Sequence, residues 1–106
     1  MIIVIHRKDE LYYSELGYKI FRIDRQYNSL LGSPFVLYKE TGRDIVCDQY
    51  EEYFYNTVLK NQNAVALLDF YKKESLTSNI ALSCWCAPKR CHGDTIKKYL
   101  DNVGVI

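Results

Sequence analysis

No charge of one sign predominates in this chain of 106 residues: 14 Lys and Arg stand against 13 Asp and Glu. That balance lacks the electrostatic footprint of a duplex-binding protein, so double-stranded nucleic acid is not an expected partner. Long apolar runs are missing as well. The opening MIIVIHRK has only Ile2 to Ile5 between Met1 and His6. That is too short for the core of a signal peptide and far too short to cross a bilayer, which makes a cytoplasmic location without a membrane partner the expectation. Internal repeats and low-complexity tracts are absent, which excludes solenoid and linker architectures. What is present is ordinary for a globular domain: 48% hydrophobic and 25% charged residues, enough for one core and not for two, so residues 1–106 are expected to form a single α/β domain. Under reducing conditions the four cysteines read as thiols, ligands or catalytic groups rather than as a disulfide framework. Ten tyrosines are many for this length. Buried, each hydroxyl needs a partner; at a surface they form an adhesive patch, which makes a homo-oligomer an expectation.

Periodicity predicts the elements. Ile2 to Ile5 is a continuous β-branched run that reads as a central strand covered on both faces, with His6 at its carboxyl end. Open α/β sheets gather ligand groups at that end, although a histidine leaving a strand is more often an ordinary hydrogen-bonded residue. Lys8 to Gly17 reads as a loop or one short helical turn, Tyr18 to Asp24 as a second strand, and Phe35 to Tyr38 as a short edge strand. From Gly42, Val46, Tyr50, Tyr53, Phe54 and Val58 recur at helical steps, with Thr41 and Asp44 arranged as a capping pair and Cys47 as a small buried hydrophobe. Asn61 to Asn63 breaks that helix, and another runs from Ala64 to about Glu74. The run IALSCWC then reads as a buried strand with Trp85 in the core, and the last helix spans Asp94 to Asn102 with Gly104 just past it. Short connections and alternating strands and helices predict an α/β three-layer sandwich around a short, mostly parallel sheet.

The chemistry is concentrated in CWCAPKRCHGD, where three of the four cysteines and one of the two histidines fall together. A strand feeding a turn feeding a helix aims unpaired backbone N–H groups and a positive dipole end at whatever occupies the turn, which suits an anion or a thiolate. Cys91, at the helix start after Lys89 and Arg90, is the candidate nucleophile, with His92 as general base or hydrogen-bond donor and Asp94 to orient it. The blander alternative makes Cys91 a packed helix-entry residue, with His92, Gly93 and Asp94 capping the helix. Zinc on Cys84, Cys86, Cys91 and His92 is a further alternative. In a straight strand Cys84 and Cys86 lie on one face about 7 Å apart, however, whereas two thiolates on one zinc need sulfurs near ~3.8 Å. Upstream, Arg25 and Ser33 read either as a connecting loop or as one wall of an anion site, since an arginine fork beside exposed N–H groups holds phosphate or carboxylate. Arg43, unfavourable for the dipole in a first helical turn, invites an anionic partner.

The CWCAPKRCHGD run, together with Arg25, the GSPF turn and the helix from Arg43 to Tyr53, resembles a small, mainly phage-borne family known only as domain of unknown function 4326. That family's hallmark is a Cys-Trp-Cys, proline, Cys-His-Gly-Asp run with an upstream Arg and a Gly-Asn-Pro-Phe turn. The likeness covers most of the chain from Tyr18 onward, and Ser33 stands where the family has Asn. It implies a phage origin, hence the host-cell cytoplasm, and a shared pocket built from Arg25, Ser33, Arg43, Cys84, Cys91, His92 and Asp94. It supplies no reaction, so whether the chain is an enzyme stays open. The favoured expectation is a pocket for a small anionic or nucleotide-derived molecule. Its phosphate would lie on the last helix start, and its ligand residues would be Arg25, Ser33, Arg43, Cys84, Lys89, Arg90, Cys91, His92, Gly93 and Asp94; in a phage it could sequester a host defence signal. The alternatives are a cysteine-dependent enzyme using Cys91, His92 and Asp94 on a nucleotide or nucleoside, a zinc-binding domain, and a module that binds a host protein. No cofactor other than zinc is expected.

Overall fold

Three short parallel strands carry the architecture of the computed structural model, which describes residues 1–103. Strand β1 (Ile2–His6) leads through a 3-10 turn, Arg7–Asp9, into α1 (Glu10–Glu15) and then β2 (Lys19–Arg22). A long irregular segment and a second 3-10 turn, Glu40–Gly42, precede α2 (Arg43–Asn56); α3 (Gln62–Thr77), β3 (Ile80–Cys84) and α4 (His92–Asn102) complete the chain. The strand order is β1-β3-β2. Right-handed crossovers then put α1 on one face and α2 and α3 on the other, giving the predicted α/β sandwich. Helix α4 packs on β1, β3, α2 and α3, so it shares their face.

The central strand is β3, not Ile2 to Ile5 as expected. Every residue of β3 is buried, whereas Ile3 and Val4 of β1 are only partly so. Both runs are apolar, and only β3 has a hydrogen-bonded neighbour on each side: Ile2 pairs with Ile80 and His6 with Cys84 on one edge, Lys19 with Ile80 and Arg22 with Ser83 on the other. The main core joins Ile80 and Leu82 to Tyr50 and Phe54 of α2, Leu68 and Tyr71 of α3, and Ile96 and Leu100 of α4. Phe21 of β2 stacks on Tyr71 at 4.4 Å, which docks α3 on that edge.

Other expectations are corrected by backbone hydrogen bonding. Phe35 to Tyr38 forms no strand, because the Ser33 hydroxyl takes the Phe35 N–H at 3.2 Å and turns the chain. Thr41 and Asp44 do not cap α2; its start is Gly42, fed by the preceding 3-10 turn, and the Arg43 N–H bonds the Glu40 carbonyl. The predicted break at Asn61 is the cap of α3, its side chain accepting the N–H groups of Asn63 and Ala64. Strand β3 ends at Cys84, so the alternation stops there and Trp85, expected in the core, is 56% exposed. Helix α4 begins two residues earlier than expected, at His92, and Gly104 lies outside the described residues.

Candidate functional site

The carboxyl ends of the parallel strands, the loop from Asp24 to Leu37, the first turns of α2 and the start of α4 enclose a cavity of about 300 Å³. Open α/β sheets bind ligands in this position. Of the ligand residues expected from the sequence, Arg25, Ser33, Arg43, Cys84, Arg90, Cys91 and His92 line the cavity; Lys89, Gly93 and Asp94 do not. Phe35, Leu37, Val46, Tyr50 and Trp85 supply apolar and aromatic wall. A broader depression along β2, about 890 Å³, is more open, and its charged groups are already matched: Arg22 holds Glu10 through two bonds of 3.0 and 3.1 Å.

Sulfur chemistry sits in the cavity floor. The Cys84 and Cys91 Sγ atoms are 3.1 Å apart, and the two residues are only 1% and 3% exposed. The sequence made Cys91 the candidate nucleophile; the hydrogen bonding around the pair favours the thiolate on Cys84. The hydrogen bond shared with Cys91, helped by the backbone N–H groups of Cys86 and Ala87 as the chain turns off the sheet, pulls the Cys84 thiol down. The same contact with Cys84 and burial together push Cys91 up. The start of α4 does reach Cys91, the N-cap residue: its sulfur accepts from the backbone of the first turn and its N–H donates to the Asp94 carboxylate at 3.0 Å, but this lowering is smaller than the effects of Cys84 and of burial.

Asp94 therefore closes the helix start instead of orienting His92, and the expected Cys91, His92, Asp94 relay is not assembled. His92 Nε2 lies 2.8 Å from the Ile23 carbonyl, which accepts only, so Nε2 carries the hydrogen and Nδ1 the lone pair. Burial lowers the His92 pKa; the Ile23 carbonyl, Asp24 and Asp94 oppose this without overcoming it. The ring meets Tyr50 edge to face at 5.1 Å. Gly93 lets α4 approach the sheet: a Cβ there would come within 2.9 Å of Ile23 and Val4 side-chain carbons.

The cavity arginines differ in what they leave free. Arg43 forks onto Glu40 at 2.6 and 2.8 Å and donates to the Arg90 carbonyl at 2.9 Å, tying α2 to the loop before α4. This pairing answers why a cation tolerates the first turn of α2. Arg90 is held by Asp44 at 3.0 Å and Asp48 at 2.7 Å. Lys89 is exposed, with its ammonium 3.7 Å from Glu40. Arg25 has no carboxylate partner among the described residues. Its backbone is seated by Gly32, where a Cβ would lie 2.2 Å from the Arg25 Cα.

One charged lining residue went unread in the sequence. Asp24 is 7% exposed; its Oδ1 is paired with Arg7, and its buried Oδ2 has no partner. Arg7 is fixed in turn by Ser83 and Glu10 and sandwiched by the rings of Tyr27 and Trp85 at 4.8 and 4.9 Å. Asp24 ends the predicted second strand, so the strand-end rule that singled out His6 applied to it equally. His6 itself does not line the cavity; its Nδ1 accepts the Lys8 N–H at 3.0 Å.

Residues 3–102 match the model of the family described as Domain of unknown function (DUF4326). The chain belongs to this family. No curated protein and no solved structure matches it. The match runs from β1 to the end of α4, so every cavity residue of this DUF4326 domain lies inside it. All four of its cysteines, Cys47 included, face the same cavity. Even so, among the described residues no group of three or more His, Cys, Asp or Glu side chains is arranged to hold a metal ion. In the zinc set expected from the sequence, Cys86 interacts with Arg43, and His92 commits Nε2 to a carbonyl. No helix among the described residues is long and apolar enough to cross a membrane.

Proposed function

We propose that this DUF4326 domain binds a small nucleotide-derived anion in the cavity at the carboxyl edge of its sheet. The observation that carries the reading is the buried, unpaired Oδ2 of Asp24, a residue that lines the cavity beside the exposed Arg25, which has no carboxylate partner among the described residues. A buried carboxylate oxygen without a donor costs free energy that a ligand hydroxyl or amine would recover. The guanidinium of Arg25 suits a phosphate or carboxylate on the same molecule. Phe35, Leu37 and Val46 offer apolar surface to a planar base, and about 300 Å³ accommodates a molecule of mononucleotide size or smaller. Arg43 and Arg90, already matched by acids, shape the wall. If the gene is carried by a phage, tight binding without turnover would sequester a host defence signal.

The test incubates the purified protein with a mixture of nucleotides and cyclic nucleotides, then recovers bound material after denaturation and identifies it by mass. An unchanged compound retained by the wild type and reduced at least tenfold in Asp24→Ala and Arg25→Ala supports the proposal. Equal retention in both variants, or no compound at all, refutes it; a converted compound replaces storage with catalysis.

A further inference from the structure

We infer that Cys84 and Cys91 form a redox-active dithiol in the cavity floor, with Cys84 the attacking sulfur and Cys91 the resolving one, acting on a small-molecule disulfide. Their chemistry does not depend on a nucleotide, and the centre is assayed with none present.

Geometry supports the pairing. The sulfurs are 3.1 Å apart, about 1 Å from the covalent length of a disulfide. Both residues are buried, and both line the cavity, which is the side from which a solute would approach them. Cys84 ends the fully buried central strand, while Cys91 follows the turn of residues 85–90, so the turn can take up the small approach that bond formation needs. The direction of attack follows from the hydrogen bonding. The sulfurs share one hydrogen bond, and the backbone N–H groups of Cys86 and Ala87 turn toward Cys84 as the chain leaves the sheet, which favours charge on Cys84 and the shared proton on Cys91. The remaining two sulfurs are set apart: burial pushes the Cys47 thiol up, and Cys86 lies against Arg43.

The exchange balances. The Cys84 thiolate attacks one sulfur of a disulfide RSSR, forming the Cys84–SR bond and expelling RS⁻. Cys91 then gives up its proton and attacks Cys84 Sγ, closing the 84–91 disulfide; the second RS group leaves with that proton as RSH. The protein loses two electrons, the substrate gains two, and excess thiol reverses the cycle.

The experiment treats the reduced full-length chain with oxidised glutathione at neutral pH, quenches with acid, alkylates free thiols and maps the peptides. Expected are an 84–91 disulfide with Cys47 and Cys86 alkylated, reversal by dithiothreitol, and a matching reversible change in the fluorescence of Trp85, the neighbour of Cys84. Cys91→Ser should accumulate a glutathione adduct on Cys84, and Cys84→Ser at least tenfold less on Cys91. The wild-type map decides the pairing even if a variant folds poorly. Four alkylated cysteines after oxidation, a bond involving Cys86 or Cys47, or stoichiometric zinc held by these sulfurs in the purified protein would overturn the inference.

Discussion

Replacing Gly32 by alanine tests how the cavity wall is built. A Cβ at this position would lie 2.2 Å from Arg25 Cα, 2.5 Å from Arg25 Cβ and 2.6 Å from Arg25 N, so the obstruction is backbone and not the tip of a flexible side chain. Relief to an ordinary contact requires a shift of more than about 1 Å, a change on the scale that overpacked interiors resist. The surrounding turn resists it: Asn28 N–H bonds the Asp24 carbonyl at 2.8 Å, Gly32 N–H bonds the Asn28 carbonyl at 2.9 Å, and Asn28 Oδ1 accepts from Leu30 and Leu31. In favour of alanine stand about 0.8 kcal/mol for a buried methyl and about 0.4–1 kcal/mol from a less flexible unfolded chain. Against it, overpacking typically costs about 1–3 kcal/mol, and a contact this close to a hydrogen-bonded backbone belongs at or beyond the upper end. A net loss of roughly 2 kcal/mol corresponds to a fall in midpoint of roughly 8–16 °C for a domain of this size. Thermal and urea unfolding measure it. Gly17→Ala is the comparison: Gly17 has φ +93° and nothing within 4 Å, so its cost is backbone strain alone, about 1–2 kcal/mol. A Gly32→Ala midpoint within about 2 °C of wild type, or a smaller loss than for Gly17→Ala, would refute the close-approach argument.

Two further predictions concern buried groups beside the cavity. Tyr50 donates its hydroxyl to the Leu31 carbonyl at 2.6 Å with both residues fully buried, so Tyr50→Phe orphans that carbonyl and should cost about 1–2 kcal/mol in urea unfolding; an unchanged midpoint would count against the bond. Because burial holds His92 below its ordinary value of 6.5, the unfolded chain takes up a proton that the folded chain refuses. Its contribution is fully present above that value and is lost as pH falls below it. Cys84, held below the ordinary thiol value of 9.0, adds a slope of the same sign as pH falls below that value, while Glu10 and Glu40, held low by Arg22 and Arg43, act only below 4.5. The slope of stability between pH 5 and 7 (roughly the histidine window) should therefore be shallower in His92→Gln than in wild type, and identical slopes would show that His92 does not carry it.

Local pattern was enough to place the elements. The β-branched run from Ile2, the alternation from Tyr18, the helical stripe through Tyr50 and Phe54 and the apolar run from Ile80 each declare their type within a few residues, because periodicity is a short-range property. The CWCAPKRCHGD run likewise revealed a strand-turn-helix site, and most of the side chains named for it do meet around one cavity. What a segment's neighbours decide was not legible. Ile2 to Ile5 and Ile80 to Cys84 look equally central until pairing gives β3 a partner on both edges. Arg43 and Arg90 look like free anion binders until Glu40, Asp44 and Asp48 claim them.

The chain's own order of residues thus determined a small α/β domain with its cysteine chemistry at a strand's end. Tertiary structure alone decided that Cys84 and Cys91 meet sulfur to sulfur, that Asp94 caps instead of relaying, and that one Asp24 oxygen is buried without a partner. The physical reason is the same in each case: charge, proton position and hydrogen-bond valence depend on distances of a few ångströms between groups far apart in sequence, and periodicity carries no information about those distances.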